Sequence, residues 1–436
     1  MKKIHVLAVF VLALGVRFIA LDQSLWLDEA TTARVVTQYD YFGIISKFSL
    51  SDFHPPLYYV FMKFWTGIFG ASEIALRMPS VIFSLATGYL IYLMAGVWAA
   101  AFFLFNPLVV YYSQEARMYM MAVFLLTGAL FYLKKLSTKN VAHLIFFNVF
   151  LILSFYTFYG SIFLITPMFL YLLYKKEYRG LVASSLMFLC YAALLSPLTL
   201  AQFKGSKIAL SNVANWSSVL GTVNLKNLLL IPMKFAIGRI DFYPKAVYYA
   251  VSGAWTLIVL FGLRSALRKE NRMWAFLLVS PLVLGLIFSL FSPLLQYFRF
   301  IYLIPIMAII LALPKDSKRN AYKALLLIGF VGFSMAYLFI PHFHREDWKG
   351  LSVSLDGKTP VYMVASSSDP LKYYRKNLKV KDIRELNSLK DEKKVIVIPY
   401  TADIHGVNYK KILEGKGFKM DRDFVFRDLT REVWIR

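Results

Sequence analysis

The chain has little charge and almost no cysteine. Charged residues make up 17% of the 436, whereas hydrophobic residues make up 58% and the mean hydropathy is +0.57. Because soluble domains usually carry about 25% charged residues, this composition excludes an ordinary soluble domain and indicates a polytopic membrane protein. Cys190 is the single cysteine, which excludes a disulfide bond within the chain.

Acidic residues are especially scarce. The chain has 49 Lys and Arg but only 25 Asp and Glu, which gives a net charge of +24. No RNA- or DNA-binding motif accompanies this surplus, so we expect no nucleic-acid partner. Much of the positive charge lies in short loops between apolar segments, where Lys and Arg face anionic lipid on the cytoplasmic side of the bilayer.

About eleven apolar segments approach the roughly 17 to 20 residues that a membrane-spanning helix needs. The first contains Arg17 and is followed by more spans, so we interpret it as an uncleaved helix rather than a signal peptide. The predicted spans are residues 4–21, 77–94, 96–112, 118–133, 141–157, 160–174, 181–200, 245–263, 274–291, 298–313 and 321–340.

The orientation follows from the basic residues of the short loops. These basic clusters alternate correctly between successive spans if all of them are cytoplasmic. They lie at residues 2–3, 134–139, 175–179, 264–272 and 315–319. Loop 22–76 and everything after residue 340 then lie on the outer face of the cell membrane. Loop 201–243 would also be external although it carries five basic residues, so either the topology differs there or that loop meets something anionic.

The composition changes near residue 341, where the chain becomes polar. Short apolar runs at 359–366, 393–400, 422–426 and 432–436 predict strands, and segments 369–377 and 408–417 predict short helices. We therefore expect a transmembrane domain over 1–340 and a small extracytoplasmic α/β domain over 341–436, long enough to bury a modest core. The second domain has no glycine-rich phosphate loop, which speaks against nucleotide binding there.

A pair of carboxylates, Asp28 and Glu29, follows the first span in "SLWLDEATTARV". Trp26 beside them favours an interfacial location. The pair has two interpretations. It is either the charged start of an interfacial helix, where negative charge is stabilised, or a base that faces both lipid and water.

A second cluster, "SDFHPPLYYV", contains Asp52 and His54. The two prolines fix an extended approach to a helix, and the residue before a proline is kept out of the helical conformation. Asp52 and His54 lie two apart on this extended segment, so they point the same way and could share a phosphate or a metal ion. The alternative is a turn that leads into a helix and is capped by Asp52.

The third cluster, "YYSQEARMYM", lies between two apolar spans and contains Glu115, Arg117 and Tyr119. Ionisable groups at this depth are costly and usually face a cavity or a partner. Glu115 and Arg117 could instead pair with each other. For Arg17 and Arg77, the simplest interpretation is that the side chain extends towards the membrane interface. Arg299, in "LLQYFRFIY", marks another outer helix end.

Taken in order, these stretches resemble a known group of enzymes. Arg17, "LWLDEA", "DFHPPLYY", "GASEIALRMPS" and "NPLVVYYSQEARMY" are similar to the membrane glycosyltransferases of the GT-C superfamily. Within it, they resemble the protein O-mannosyltransferase and aminoarabinose-transferase (ArnT-like) group. The resemblance is strongest across residues 17–120, and weaker agreement continues in "RFIYLIPIMAIILA" and "HREDWKG".

The resemblance implies a sugar donor carried on a polyprenyl phosphate and a protein, lipid or glycan acceptor. It makes Asp28 the catalytic base, with Glu29 beside it. His54 stands where the aminoarabinose-transferase pattern has a lysine, which keeps a cation but leaves metal binding open; the candidate ligands of a divalent ion are Asp28, Asp52 and His54. The residues implied to contact the carrier phosphate or the sugar are Asp52, His54, Glu115, Arg117, Tyr119 and Arg299.

The implied reaction is one displacement, in which an acceptor hydroxyl attacks the anomeric carbon as polyprenyl phosphate departs, so the anomeric centre inverts. The main alternative is a transporter or flippase of lipid-linked sugar intermediates. Transporters tend to place charges near the midplane between pseudo-symmetric halves, whereas the charges here collect at one face. A scaffold without catalytic activity is the third interpretation.

Overall fold

The structure is a computed structural model that describes residues 2–136, 140–267, 271–313 and 320–436. Some of the basic residues used to predict the orientation lie outside the described residues, namely those at 139, 268–269 and 315–319.

The described chain is mainly helical up to residue 339. Glycines with positive φ end several helices; Gly96, with φ of 84°, ends the long helix α6 and starts α7. The helices are α1 (Lys2–Phe18), α2 (Leu27–Gln38), α3 (Tyr41–Gly43), α4 (Ser49–Ser51), α5 (Leu57–Phe69), α6 (Glu73–Ala95), α7 (Val97–Leu104), α8 (Pro107–Ser113), α9 (Tyr119–Lys135), α10 (Val141–Thr157), α11 (Ile162–Tyr174), α12 (Tyr178–Asn212), α13 (Trp216–Leu220), α14 (Leu225–Ile237), α15 (Lys245–Ala266), α16 (Arg272–Ser289), α17 (Ile304–Ala312) and α18 (Asn320–Phe339).

Tighter or wider helical turns join some of these helices. A π-helical turn covers Ile44–Phe48, and 3₁₀ turns cover Tyr159–Ser161, Tyr297–Leu303 and Pro341–Phe343. Two of the 3₁₀ turns run directly into α11 and α17 and lengthen these apolar rods.

Five described helices are long and apolar enough to cross a membrane, which agrees with a multi-pass protein. They are α6, α12, α15, α16 and α18. Three shorter apolar helices cover Val141–Thr157, Tyr159–Tyr174 and Tyr297–Ala312. The count of eleven spans stays a prediction, because the other predicted segments fall on helices that are short or interrupted.

Two helices differ from the predicted spans. The segment predicted over 96–112 breaks at Asn106, whose side chain accepts from the amide of Leu108 and caps α8, while Pro107 begins the new helix. Helix α12 continues to Asn212, well past the predicted end at residue 200, although Gly205 lies within it. Part of the basic loop is therefore helical.

Arg17 and Arg77 are both buried, so the expectation that they extend to the interface was wrong. Backbone carbonyls and Ser84 satisfy the Arg17 guanidinium, which donates to Ala13 and Leu104 and so links α1 to α6 and α7. A charge buried in this way is tolerated because its donors find oxygen acceptors.

The C-terminal residues form a five-stranded mixed sheet flanked by short helices. The strands are β1 (Val361–Met363), β2 (Val380–Asp382), β3 (Lys394–Val397), β4 (Lys419–Phe426) and β5 (Leu429–Ile435), in the order β2-β1-β3-β5-β4. β1 is parallel to β2 and β3, whereas β5 is antiparallel to β3 and β4. The helices are α19 (Trp348–Val353), α20 (Asp369–Tyr374) and α21 (Tyr409–Gly415), with 3₁₀ turns at Ala365–Ser367 and Ile383–Ser388.

Alternation along the strands gives the sheet two apolar faces. Tyr362 and Val395 point to one core with α21, whereas Val361 and Ile396 point to the other with Trp348 of α19. Successive strand residues face opposite sides, so a sheet covered on both faces needs continuous apolar runs, as found here.

The Glu29–Arg77 ion pair joins segments that carry the residues of the three charged clusters. Both side chains are 1% exposed, and the guanidinium donates to the two carboxylate oxygens at 2.8 and 2.6 Å. Arg77 also donates to the carbonyls of Leu21, Gln23 and Ser24, and Glu29 accepts from the amide of Ala116 at 2.8 Å. The pair therefore links the loop after α1, helix α2, helix α6 and the turn before α9.

The helix contact between α15 and α18 gives the first prediction. A Cβ at Gly329 would overlap the ring of Trp255, which is held between Phe330 and Phe333. We expect Gly329→Ala to lower the Tm in detergent because the two helices must separate. Gly332→Ala, on the same helix with open space around its Cβ position, is the matched control and should keep or raise the Tm. Equal Tm values for the two variants would contradict this packing.

The second prediction concerns the buried ion pair. Glu29→Met or Arg77→Met should each cost about 3 kcal/mol or more of unfolding free energy, because each leaves an unpaired buried charge. The double variant should lose less than the sum of the two, measured by a double-mutant cycle of thermal or denaturant unfolding. Asp241→Asn, which breaks the exposed Lys245–Asp241 pair, should change little. Additive losses would show that the two charges do not compensate each other.

Candidate active site

Asp28 and Arg117, from two of the predicted clusters, meet in the structure. Arg117 Nη2 lies 3.5 Å from Asp28 Oδ2, and Arg117 Nη1 donates to the hydroxyl of Tyr59 at 3.0 Å. Arg117 also interacts electrostatically with Asp52 of the remaining cluster. Side chains far apart in the sequence therefore surround one buried guanidinium.

Asp28 and Glu29 have different surroundings because they are neighbours on a helix. α2 begins at Leu27, so both carboxylates lie in its first turn, where the helix dipole favours negative charge. Consecutive helical residues point about 100° apart. Asp28 is thus 36% exposed and faces Arg117, whereas Glu29 is turned inwards to Arg77. The structure therefore gives Glu29 a buried contact with Arg77.

The "DFHPP" segment is extended only in part, because the chain bends over residues 52–54 and Pro56 already has helical dihedral angles. Asp52 has φ of −92° and ψ of 169°, and its Oδ1 lies 3.4 Å from His54 Nδ1. Burial alone would raise the pKa of Asp52, but His54, Arg117 and the amide of Phe53 together hold this pKa below its usual value. We therefore expect Asp52 to be ionised next to His54.

Gln202, which the sequence analysis did not single out, fixes this segment from helix α12. Its side-chain amide donates to the carbonyls of Ser49 and His54 at 2.6 and 2.9 Å, and its oxygen accepts from the hydroxyl of Tyr159 at 2.6 Å. The side chain is buried. The available signal was a lone glutamine at the end of an apolar run, "SPLTLAQF".

A second group surrounds Glu115, the residue two before Arg117. Arg345 lies 3.2 Å from Glu115 and stacks on the ring of Trp26, 3.8 Å from its centroid. Arg239 donates to the hydroxyl of Tyr111 at 2.8 Å and also interacts with Glu115 electrostatically. The pairing of Glu115 with Arg117, one of the two alternatives, is thus replaced by an ion pair with Arg345, and Arg239 lies nearby.

Sequence reasoning missed both arginines. Arg239 belongs to the basic loop 201–243 that did not fit the predicted topology, and its acidic neighbour Glu115 is the kind of anionic contact expected for that loop. Arg345 belongs to "HREDWKG", which carried part of the family resemblance.

Tyr119 and Arg299 lie at the edge of the cluster. The Tyr119 ring packs on Tyr112 and Phe298 with centroids 5.0 and 5.6 Å apart. Arg299 is half-buried, lies 5.9 Å from the Phe298 ring centroid and interacts electrostatically with Tyr119. Phe298 and Tyr119 therefore connect Arg299 to the group around Arg117.

The three metal-ligand candidates are not gathered into one ligand set. Asp52 and His54 are adjacent, but the carboxylate of Asp28 faces Arg117. In the part of the chain that the structure describes, no group of three or more His, Cys, Asp and Glu side chains is placed to hold a metal ion. Asp52 and His54 could supply two ligands at most from this set.

The charge distribution suits an anionic group next to a partly exposed carboxylate. Arg117 Nε is buried without a hydrogen-bond partner among the described residues, and so are Asp52 Oδ2 and Glu115 Oε2. A guanidinium with a free donor can bind phosphate oxygens, and its fork geometry allows two at once. The arrangement therefore places a guanidinium with an unpaired donor beside the carboxylate of Asp28.

Glu115 gives a prediction of pH dependence. Burial raises the pKa of Glu115 from 4.5 to about 7, although Arg345 acts in the opposite direction. The folded protein thus binds this proton more tightly than the unfolded chain does, so the stabilisation is complete below pH about 4.5 and is lost as the pH rises through about 7. Relative to Glu115→Gln, the wild-type unfolding free energy should fall by up to about 3 kcal/mol between pH 5 and pH 8.

Denaturant unfolding of both proteins across this pH range measures the difference. A wild-type protein that becomes more stable than the variant as the pH rises would contradict the prediction, because it would mean that Arg345 outweighs burial.

Comparisons with known proteins support the resemblance seen in the sequence. The family model described as "Dolichyl-phosphate-mannose-protein mannosyltransferase" matches residues 53–200, about a third of the chain, including the His-Pro-Pro segment and the turn with Glu115 and Arg117. No curated protein sequence matches the chain significantly.

Solved structures match almost the whole chain. Crystal structures of ArnT from Cupriavidus metallidurans, in the apo state and bound to undecaprenyl phosphate, each superpose with a TM-score of 0.57 at 13% identity. Each match covers 98% of this chain and 97% of ArnT. The chain thus has the fold of ArnT, and its residues 53–200 match the model of the dolichyl-phosphate-mannose-protein mannosyltransferase family.

Proposed function

We propose that this protein transfers a sugar from a polyprenyl-phosphate carrier to an acceptor hydroxyl by a single inverting displacement. The observation that carries the proposal is the contact between the exposed carboxylate of Asp28 and the buried guanidinium of Arg117, 3.5 Å apart. One group can accept a proton and the other can bind the departing phosphate.

Asp28 is the general base of this proposal. It removes the proton of the acceptor hydroxyl while that oxygen attacks the anomeric carbon, a contribution of about 10²- to 10⁴-fold to the rate. Its partial exposure lets an acceptor approach from outside, and its position at the first turn of α2 fixes the direction of the carboxylate.

Cationic side chains stabilise the leaving phosphate. Arg117 is closest to Asp28, and its unpaired Nε can donate to a phosphate oxygen. Arg239 and Arg299 add positive charge near it, and the imidazole of His54 adds a polar group, so negative charge that develops on the carrier phosphate meets fixed cations. The match to an ArnT structure bound to undecaprenyl phosphate supports a carrier of this chemical class.

The remaining predicted residues then have supporting roles. Asp52 and Gln202 hold His54 in place, Glu115 pairs with Arg345, and Tyr119 interacts electrostatically with Arg299. Glu29 fixes helix α2 through Arg77. A divalent ion, if the reaction needs one, would have Asp52 and His54 as its nearest pair of protein ligands.

The membrane orientation is also part of the proposal. The contacts of loop 22–76 with the C-terminal residues, such as Tyr373 with the carbonyl of Ala71 at 2.8 Å, support placing both on one side of the bilayer. Basic loops predict that this is the outer side of the cell membrane. We propose two domains, 1–340 and 341–436, and a hexose or pentose as the transferred sugar.

The test is sugar transfer by purified protein reconstituted in liposomes. Polyprenyl-phosphate mannose and polyprenyl-phosphate aminoarabinose are supplied with candidate acceptors, and products are identified by mass spectrometry. We expect Asp28→Asn to lower turnover by about 10²- to 10⁴-fold, because the amide cannot accept the proton. Asp22→Asn, an exposed aspartate of the same loop, is the matched control and should stay near wild-type turnover.

Two outcomes would overturn the proposal in different ways. Near-normal turnover of Asp28→Asn would remove Asp28 from the role of base. Movement of the carrier across the bilayer by the wild-type protein, without transfer of its sugar to any acceptor, would favour a transporter or flippase.

A further inference from the structure

Helix α2, which carries Asp28, is held on its outer side by the C-terminal residues. Asp369, the first residue of α20, accepts from Arg34 Nε at 2.8 Å and from the hydroxyl of Thr31 at 2.9 Å. Its side chain is only 10% exposed. A single carboxylate oxygen therefore joins two residues of α2 to a segment more than three hundred positions away in the sequence.

Two more contacts fix the start of α2 from the same region. The amide of Leu25 donates to the hydroxyl of Tyr374 at 2.9 Å, and the amide of Lys349 donates to the hydroxyl of Ser24 at 3.2 Å. Glu29 holds the inner side of the same turn. α2 is thus clamped between α6 on one side and α20 on the other.

One of the two residues that contact Asp369 shares a face of α2 with Asp28. Thr31 is three residues after Asp28, and residues three apart share a helix face. Tyr400, which donates to Glu346 at 3.1 Å, also interacts electrostatically with Asp28. The C-terminal residues therefore border the face of α2 from which Asp28 projects.

The direction of the Asp28 carboxylate depends on the placement of this helix. Asp28 makes one ionic contact among the described residues, with Arg117 at 3.5 Å, and it is the more exposed of the two. Few contacts restrain the side chain itself, so a shift or rotation of α2 moves the carboxylate with it. Misplacement of a reacting group by about 1 Å can cost on the order of 100-fold in rate.

We propose that Asp369 is a positioning residue for the transfer reaction, acting on Asp28 through Arg34 and Thr31 of helix α2. This inference rests on the proposed function, in which Asp28 is the base. The C-terminal region then takes part in setting the geometry of the reaction, whichever acceptor the protein uses.

If Asp369 only stabilised the fold, its loss would lower the Tm together with the activity. The Arg34 side chain is 32% exposed, and ion pairs of this kind contribute little to global stability. Loss of the Asp369 contacts should therefore leave the Tm nearly unchanged while the local order of α2 decreases. Donor binding should also persist, because the cations proposed to hold the carrier phosphate come from other segments.

The experiment compares Asp369→Asn with the control Glu392→Gln. The control removes the Lys381–Glu392 ion pair, which is also partly exposed and belongs to the C-terminal region but lies far from α2 in sequence. We expect Asp369→Asn to lower kcat about tenfold, with the donor KM within about twofold of wild type and an unchanged Tm. Glu392→Gln should keep wild-type kcat. The exchange Arg34→Asp/Asp369→Arg should recover most of the lost kcat, because it restores the pair with its charges reversed.

Hydrogen exchange provides a readout that does not depend on sugar transfer. Amides of residues 30–33 should exchange faster in Asp369→Asn than in wild type, and those of α6 should not. Unchanged exchange in α2 would overturn the inference even if the protein transferred no sugar at all. In an assay in which the wild-type protein is active, a normal kcat of Asp369→Asn would also overturn the inference. A loss of kcat that parallels a loss of Tm, and that the exchanged pair does not restore, would overturn it as well.

Discussion

The Glu29–Arg77 ion pair is the interaction on which the arrangement of the site depends. It is buried, and its donors and acceptors are satisfied by each other, by three carbonyls of the loop after α1 and by the amide of Ala116. Because Ala116 is the neighbour of Arg117 and Glu29 is the neighbour of Asp28, the pair sets both halves of the proposed active site at once. A buried pair is costly to desolvate, so its value lies in specifying geometry.

The charged side chains of the site divide into two layers. The inner layer, Glu29 with Arg77, is closed to solvent and fixes the backbone. The outer layer has more guanidinium groups than carboxylates; it contains Asp28, Asp52 and Glu115 with Arg117, Arg239, Arg299 and Arg345. Such an excess of cations suits the proposed phosphorylated lipid substrate, because that substrate would supply the negative charge missing from the protein.

Hydropathy and loop charge predicted most of the helices, since long apolar runs leave few alternatives. They could not predict the break at Asn106 or the extension of α12 to Asn212, which depend on capping and on packing of Gln202 against the His54 loop. At the site, Asp28 and Arg117 were predicted, but their meeting was not deducible from periodicity. Arg239 and Arg345 were missed because each enters the site from a distant segment, and distance in the sequence hides such contacts.

The stacking of Arg345 on Trp26 has a consequence for how the two parts of the chain can be separated. Arg345 follows the last predicted span and lies beyond the change in composition near residue 341, yet its charge faces Glu115 inside the helical part. A protein cut at that border would keep Glu115 in the helical part and lose Arg345, the cation that pairs with it. A C-terminal region taken from a relative can therefore replace this one only if it also places a cation on the ring of Trp26.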